Sequence, residues 1–191
     1  GGRRGFCSGG NRHKNLTCIR MSKKRDCSRK DLQKDSERVC NPREEKMETI
    51  SIIIPCYNEE EAIPVYYETM VRQMDEMEEQ QKVQFELIFV DDGSKDHSLF
   101  EMRRLAQEDM RCRYLSFSRN FGKEAAMYAG LQAARGDYVT VMDVDLQDPP
   151  SLLPKMYAML QSGTCDCVAA RRSSREGEGK IKSFLSNAFY G

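Results

Sequence analysis

From Thr49 onward, short apolar runs alternate with longer stretches in which apolar residues recur every three or four positions. The runs Ile50 to Pro55, Phe85 to Val90, Arg113 to Phe117, Asp137 to Met142 and Cys167 to Ala170 predict five strands, mostly apolar on both faces as in a covered parallel sheet. Between the first two, Ile63, Tyr66, Tyr67, Met70, Met74 and Met77 fall at helical spacing while Glu61, Glu68, Gln73 and Glu76 take the other side. That is one amphipathic helix lying on the sheet. Leu99, Met102, Leu105 and Ala106 repeat the pattern. Ala126, Ala129, Gly130 and Ala133 do so with small residues that let a third helix lie close to the strands. A fourth is expected to start at Asp148-Pro149-Pro150, with Asp as N-cap and Pro in the first turn. Strand and helix in alternation predict an α/β fold, a mostly parallel, Rossmann-like sheet with helices on both faces.

The pattern is missing before Met47. Phe6, Leu16, Ile19, Leu32 and Val39 are the only strongly apolar residues there, too few to offset the entropy of ordering the chain. The charge balance changes at the same place. Residues 1–46 carry 14 Lys and Arg against 6 Asp and Glu, and residues 47–191 carry 16 against 24, so the neutral total conceals two segments of opposite sign. The expected organisation is a disordered basic extension over 1–46 and a folded domain over 47–191, with Met47 as the natural start. A basic tail without aromatic interleaving is solvated chain rather than a nucleic-acid arm, so no nucleic-acid partner is expected. Cys7, Cys18, Cys27 and Cys40 lack zinc-ligand spacing, and Cys56, Cys112, Cys165 and Cys167 sit in or beside apolar runs, which fits reduced thiols in a cytoplasmic setting. No apolar run approaches the ~18–20 residues that span a bilayer.

In an open parallel sheet, ligands bind beyond the carboxyl ends of the strands. These ends are acidic: Pro55-Cys56-Tyr57-Asn58-Glu59-Glu60 after the first strand, Asp91-Asp92-Gly93-Ser94 after the second, and Asp143-Val144-Asp145-Leu146-Gln147-Asp148 after the fourth. Carboxylates converging on one rim repel one another unless a cation or hydrogen-bond donors are recruited. Asp143 and Asp145, two apart where a strand turns into a loop, can reach one hard cation, with the amide oxygen of Gln147 as a further ligand. Oxygen donors without His or Cys favour Mg2+ or Mn2+ over zinc. Gly122-Lys123-Glu124 lacks the Ser or Thr and the upstream Gly of a P-loop, and no dinucleotide-binding glycine fingerprint follows a strand. Phosphohydrolases with a nucleophilic Asp expect Thr or Val where this chain has Gln147.

Four segments, taken together and in order, carry a resemblance. Ser51 to Glu59 (SIIIPCYNE), Val90 to Ser94 (VDDGS), Ser118 to Glu124 (SRNFGKE) and Met142 to Pro150 (MDVDLQDPP) resemble the family 2 glycosyltransferases of the GT-A fold, and the last two resemble their polyprenyl-phosphate branch. The resemblance implies that Pro55, Tyr57, Asn58, Glu59, Asp91, Asp92 and Asp143 bind the nucleotide-sugar. It implies that Asp143 and Asp145, the catalytic pair, hold Mg2+ or Mn2+ with Gln147, and that Arg171, Arg172 and Arg175 meet the acceptor phosphate. The implied reaction is inverting transfer of a hexose from a UDP- or GDP-sugar to a polyprenyl phosphate at the cytoplasmic membrane face. In that branch the domain continues past a pair like Phe189-Tyr190 into membrane-associated helices, so the chain is expected to be C-terminally incomplete. A family 2 transferase acting on a polysaccharide hydroxyl and a non-catalytic nucleotide-sugar-binding fragment stay open as alternatives.

Overall fold

The computed structural model describes residues 17–20 and 47–170. Its strands are β1 (Thr17–Arg20), β2 (Glu48–Cys56), β3 (Val83–Asp91), β4 (Cys112–Ser116), β5 (Tyr138–Val141) and β6 (Cys167–Ala169). The helices are α1 (Ala62–Gln81), α2 (Ser98–Glu108), α3 (Lys123–Ala133) and α4 (Leu153–Gln161), the last entered through a 3-10 turn at Pro150–Leu152. The six-stranded sheet has the order β4-β3-β2-β5-β1-β6. Strands β4, β3, β2 and β5 run parallel, while β1 lies antiparallel to both β5 and β6.

The expected five strands and four helices are all present, and the alternation along the two longest strands explains how they are covered. Ile50, Ile52 and Ile54 of β2, with Phe85, Leu87 and Phe89 of β3, face a core closed by Ile63, Tyr66, Met70, Met74 and Met77 of α1, Met102 and Leu105 of α2, and Leu153, Met156 and Leu160 of α4. Ile53, Ile88 and Val90 point the other way and meet Ala126 of α3. Each such side chain, fully buried, stabilises the fold by about 1.5–3 kcal/mol. The small residues of α3 do what their size suggests: a Cβ on Gly130 would lie 2.3 Å from Cγ2 of Ile53.

Topology places the opening. The chain moves from β2 outward to β3 and β4, then returns by α3 to the other side of β2. Right-handed crossovers require the outward and return helices to lie on opposite faces, so the carboxyl ends of β2 and β5 part where the winding reverses.

Two expectations need correction. Thr17–Arg20, inside the segment read as disordered, is a strand paired with Tyr138–Val141. Four residues with no local period find their partners only through edges built by the rest of the chain, which no pattern within the segment reveals; the other residues of 1–46 lie outside those described. Asp148 is not the helix cap: the 3-10 turn is preceded by Pro149 and has no side-chain cap, and the fixed φ of proline starts it instead.

Candidate functional site

The parting of β2 and β5 is a cleft of about 390 Å³ lined by Pro55, Cys56, Tyr57, Glu59, Asp92, Asn120, Gly122, Lys123, Ala126, Asp143, Val144 and Asp145. Of the expected site residues, Pro55, Tyr57, Glu59, Asp92, Asp143 and Asp145 therefore come together. Asn58, Asp91 and Gln147 stand behind or beside it, and Arg171, Arg172 and Arg175 lie outside the described residues.

Those behind the wall are occupied in building it. Asp91, buried at the end of β3, accepts from the Ser94 amide at 2.8 Å and the Ser116 hydroxyl at 2.8 Å. Asn58 stands at φ 56 and its side-chain oxygen accepts from the Lys95 amide at 2.8 Å, which ties the β2 loop to the β3 loop. The Glu59 amide is matched with the Ser98 hydroxyl oxygen at 2.7 Å. Gln147 donates its backbone N–H to Oδ1 of Asp145 at 3.1 Å. Asp92 has two roles: it borders the cleft, and its carboxylate accepts the amides of Phe121 at 2.7 Å and Gly122 at 2.9 Å. Gly93, at φ 69, lets this turn close on the following loop, since a Cβ there would fall 2.3 Å from the Arg119 carbonyl carbon.

Backbone strain gathers here. Asn58, Gly93, Gly122 and Leu146 all have positive φ and each lies within three residues in sequence of a residue that lines the cleft, and for Leu146, between Asp145 and Gln147, that conformation costs on the order of 1–3 kcal/mol. A strained loop is thus held between the expected metal-binding pair and its neighbour.

The cleft is negative. Its described lining holds four carboxylates, Glu59, Asp92, Asp143 and Asp145, against one ammonium, Lys123, which pairs with Asp143. Cys56 offers no nucleophile: burial, then the charges of Glu59, Asp91 and Asp143, push its thiol well above the ordinary range. The Tyr66 hydroxyl beneath is wholly buried without a hydrogen-bond partner, and burial followed by the charges of Cys56 and Asp143 raises its pKa too. Among the described residues no three His, Cys, Asp or Glu form a metal cage. Asp143 and Asp145 offer hard carboxylate oxygens at the open cleft, the donor type that could hold an oxygen-loving divalent ion.

Sequence reasoning passed over the loop between β4 and α3 as a source of lining, although Asn120, Gly122 and Lys123 belong to a segment whose resemblance it noted. The missing signal was the reach of Asp92 across to that loop. A model of glycosyl transferase family 2 matches residues 51–190, which takes in every residue that lines the cleft. The chain belongs to glycosyl transferase family 2. A prophage bactoprenol glucosyl transferase homolog of Escherichia coli is 45% identical over 141 residues, or 74% of this chain and 44% of that protein. The bactoprenol glucosyl transferase of Shigella phage SfX is likewise 45% identical over 74% of this chain and 45% of its own length. The matched region is thus less than half of these relatives. A mannosyltransferase of Pyrobaculum calidifontis, solved with GDP-Man and Mn2+, shares 22% identity at a TM-score of 0.44 over 54% of this chain and 33% of its own, an overlap too slight to bear on function. No helix among the described residues is long and apolar enough to cross a membrane.

Proposed function

We propose that this family 2 domain transfers a hexose from a nucleoside diphosphate sugar to a polyprenyl phosphate, with inversion at the anomeric carbon. The observation that carries the reading is the 45% identity over 141 residues to transferases named for bactoprenol. The electrostatics support the donor class: a lining of four carboxylates and one ammonium repels a diphosphate unless a divalent cation is recruited with it. Asp143 and Asp145 would hold Mg2+ or Mn2+, with Gln147 as a neighbouring oxygen donor, and the ion when bound would neutralise the departing diphosphate.

The remaining roles belong to the chain itself. Tyr57 and Pro55 give the nucleotide an apolar wall, and Glu59 and Asp92 offer acceptors to its hydroxyl and N–H groups. Asp91 and Asn58 act one layer back by fixing the loops. The lipid phosphate, with a second pKa of about 6, arrives largely as a dianion and needs no general base. The enzyme's task is to align two anions and offset their repulsion. On the acceptor side that falls to Arg171, Arg172 and Arg175. Because the acceptor is a lipid, the proposed reaction takes place at a membrane surface.

The test is incubation of the protein with radiolabelled UDP-glucose or GDP-mannose, Mn2+ and undecaprenyl phosphate in detergent. Label entering the organic phase, and abolished by EDTA, is the expected result. Label transferred instead to a soluble polysaccharide, or donor bound without transfer, overturns the lipid-phosphate reading.

A further inference from the structure

Lys123 has no role in the reading above, yet it is the ammonium in the described lining of the cleft. Its Nζ forms an ion pair with Oδ1 of Asp143, a residue 20 positions later and one of the two carboxylates assigned to the metal. The lysine side chain is 45% exposed and that of Asp143 14%, so the carboxylate is sheltered while its partner can leave. The root of the lysine is held firmly. It is the first residue of α3, directly after Gly122 at φ 99. The Asp92 carboxylate fixes the amides of Phe121 and Gly122, and Gly93 packs against Arg119. A four-carbon stem on this anchored base gives a mobile positive charge with a short, defined range.

We propose that Lys123 is a further donor-binding residue, which exchanges Asp143 for the donor's diphosphate when the divalent ion arrives. The inference rests on the reading of the cleft as a metal and diphosphate site. A divalent ion held by Asp143 would neutralise its carboxylate and repel the neighbouring ammonium, so the Lys123 pair would weaken when the ion binds. The freed ammonium stays within reach of the cleft, where the donor's phosphate oxygens are the anions that the ion brings in. Lys123 therefore opposes the ion when the ion comes alone and assists it when the ion comes with a diphosphate. The lysine makes metal and nucleotide binding mutually dependent, a coupling that acts equally in both directions. Its flexible stem and compact charge suit this exchange better than the rigid guanidinium of arginine.

The test compares wild type with Lys123→Met and Lys123→Arg in two separate titrations. The first is Mn2+ alone, followed by the free-ion electron paramagnetic resonance signal. The second is UDP or GDP at saturating Mn2+, followed by calorimetry. Lys123→Met should bind Mn2+ alone about 5–10-fold more tightly and the nucleoside diphosphate about 10-fold more weakly, within the range of ordinary site-to-site couplings. Lys123→Arg should restore most of the diphosphate affinity, and circular dichroism melting should show all three proteins equally folded. Opposite signs in the two titrations are the mark of exchange. Equal loss in both, or no change in either, overturns the role of Lys123. A wild type that binds neither Mn2+ nor nucleoside diphosphate overturns the reading of the cleft itself, and with it this inference.

Discussion

Toward the amino ends of the strands, Glu86 of β3 is 9% exposed and accepts from the Ser51 hydroxyl at 2.8 Å, the Arg135 amide at 3.1 Å and the Arg113 guanidinium. Toward the carboxyl ends, Asp91 and Asp92 are more deeply buried, but their partners are hydroxyl and amide dipoles, which satisfy the oxygens without cancelling the charge. At the amino end a carboxylate brings its own counter-ion from the same chain. At the carboxyl end, Lys123 faces four carboxylates in the described lining, and the balance must be imported. One sheet thus carries a carboxylate compensated by an arginine at one end and an excess of carboxylates over ammonium at the other, and the proposed function puts a ligand at that second end.

That contrast predicts that changes at the two ends fail differently. Asp145→Asn should have the largest effect, lowering transfer of labelled sugar to lipid phosphate by about a thousandfold, comparable with the loss of a preorganised electrostatic contact in other enzymes. Its melting temperature should hold or rise, since one of several repelling charges is gone; a fall of many degrees would erase the difference between the ends.

Gly93→Ala should come next, costing about 3 kcal/mol by combining an αL penalty with a clash against the backbone of Arg119. Because Gly93 and Asp92 brace the loop that carries Lys123, denaturant titration and nucleotide affinity should both worsen. It is the rim position where fold and ligand are not separable.

Glu86→Gln should cost on the order of 2 kcal/mol, as expected for charge-assisted hydrogen bonds, and leave turnover per folded molecule unchanged. Burial pushes the Glu86 carboxyl upward, but the Arg135 amide, the Ser51 hydroxyl and the Arg113 guanidinium outweigh it and hold its pKa below the ordinary 4.5. A pKa lower in the folded state adds stability above the unfolded value, and that contribution is lost as pH falls through the folded one. Chemical denaturation at stepped pH should therefore show wild type weakening below about 4.5, with the variant's curve flatter there. An equally steep curve would remove Glu86 from the account.

Ser116→Ala should be the mildest, about 0.5–1 kcal/mol for one hydrogen bond to Asp91. Nucleotide affinity should move less than threefold if Asp91 acts only behind the wall, within the ~0.6 kcal/mol that such a factor represents. A tenfold loss would bring Asp91 forward into contact with the donor.

Much of this could be read from the sequence because it is local. The stripe from Ile63 to Met77 and the apolar runs of β2 and β3 declare their periods within a few residues, and the strand-end rule turns those runs into a rim on which Tyr57, Asp92, Asp143 and Asp145 meet. What escaped is what spans distance. β1 depends on edges more than a hundred residues away in sequence. The hydrogen bond from the Gly122 amide to Asp92 and the pair between Lys123 and Asp143 depend on a loop that turns through the positive φ of Gly122. Spacing along the chain can mark an acid as placed at a strand end, but it does not say whether that acid's partner is an arginine, an amide or an ion from solution.

The core facing α1 draws Met70, Met74, Met77, Met102 and Met156 together, all nearly inaccessible. Thioethers are flexible and polarisable, so they fill the space between helices and sheet without demanding one shape. They also make that space chemically recordable. A peroxide converts methionine to a polar sulfoxide only where it gains access, so in the closed protein these sulfurs are shielded while Met110, 98% exposed, is not. Met110 becomes an internal clock, and the lag of the buried five behind it, read by peptide mass, measures how often α1 and its neighbours lift from the sheet.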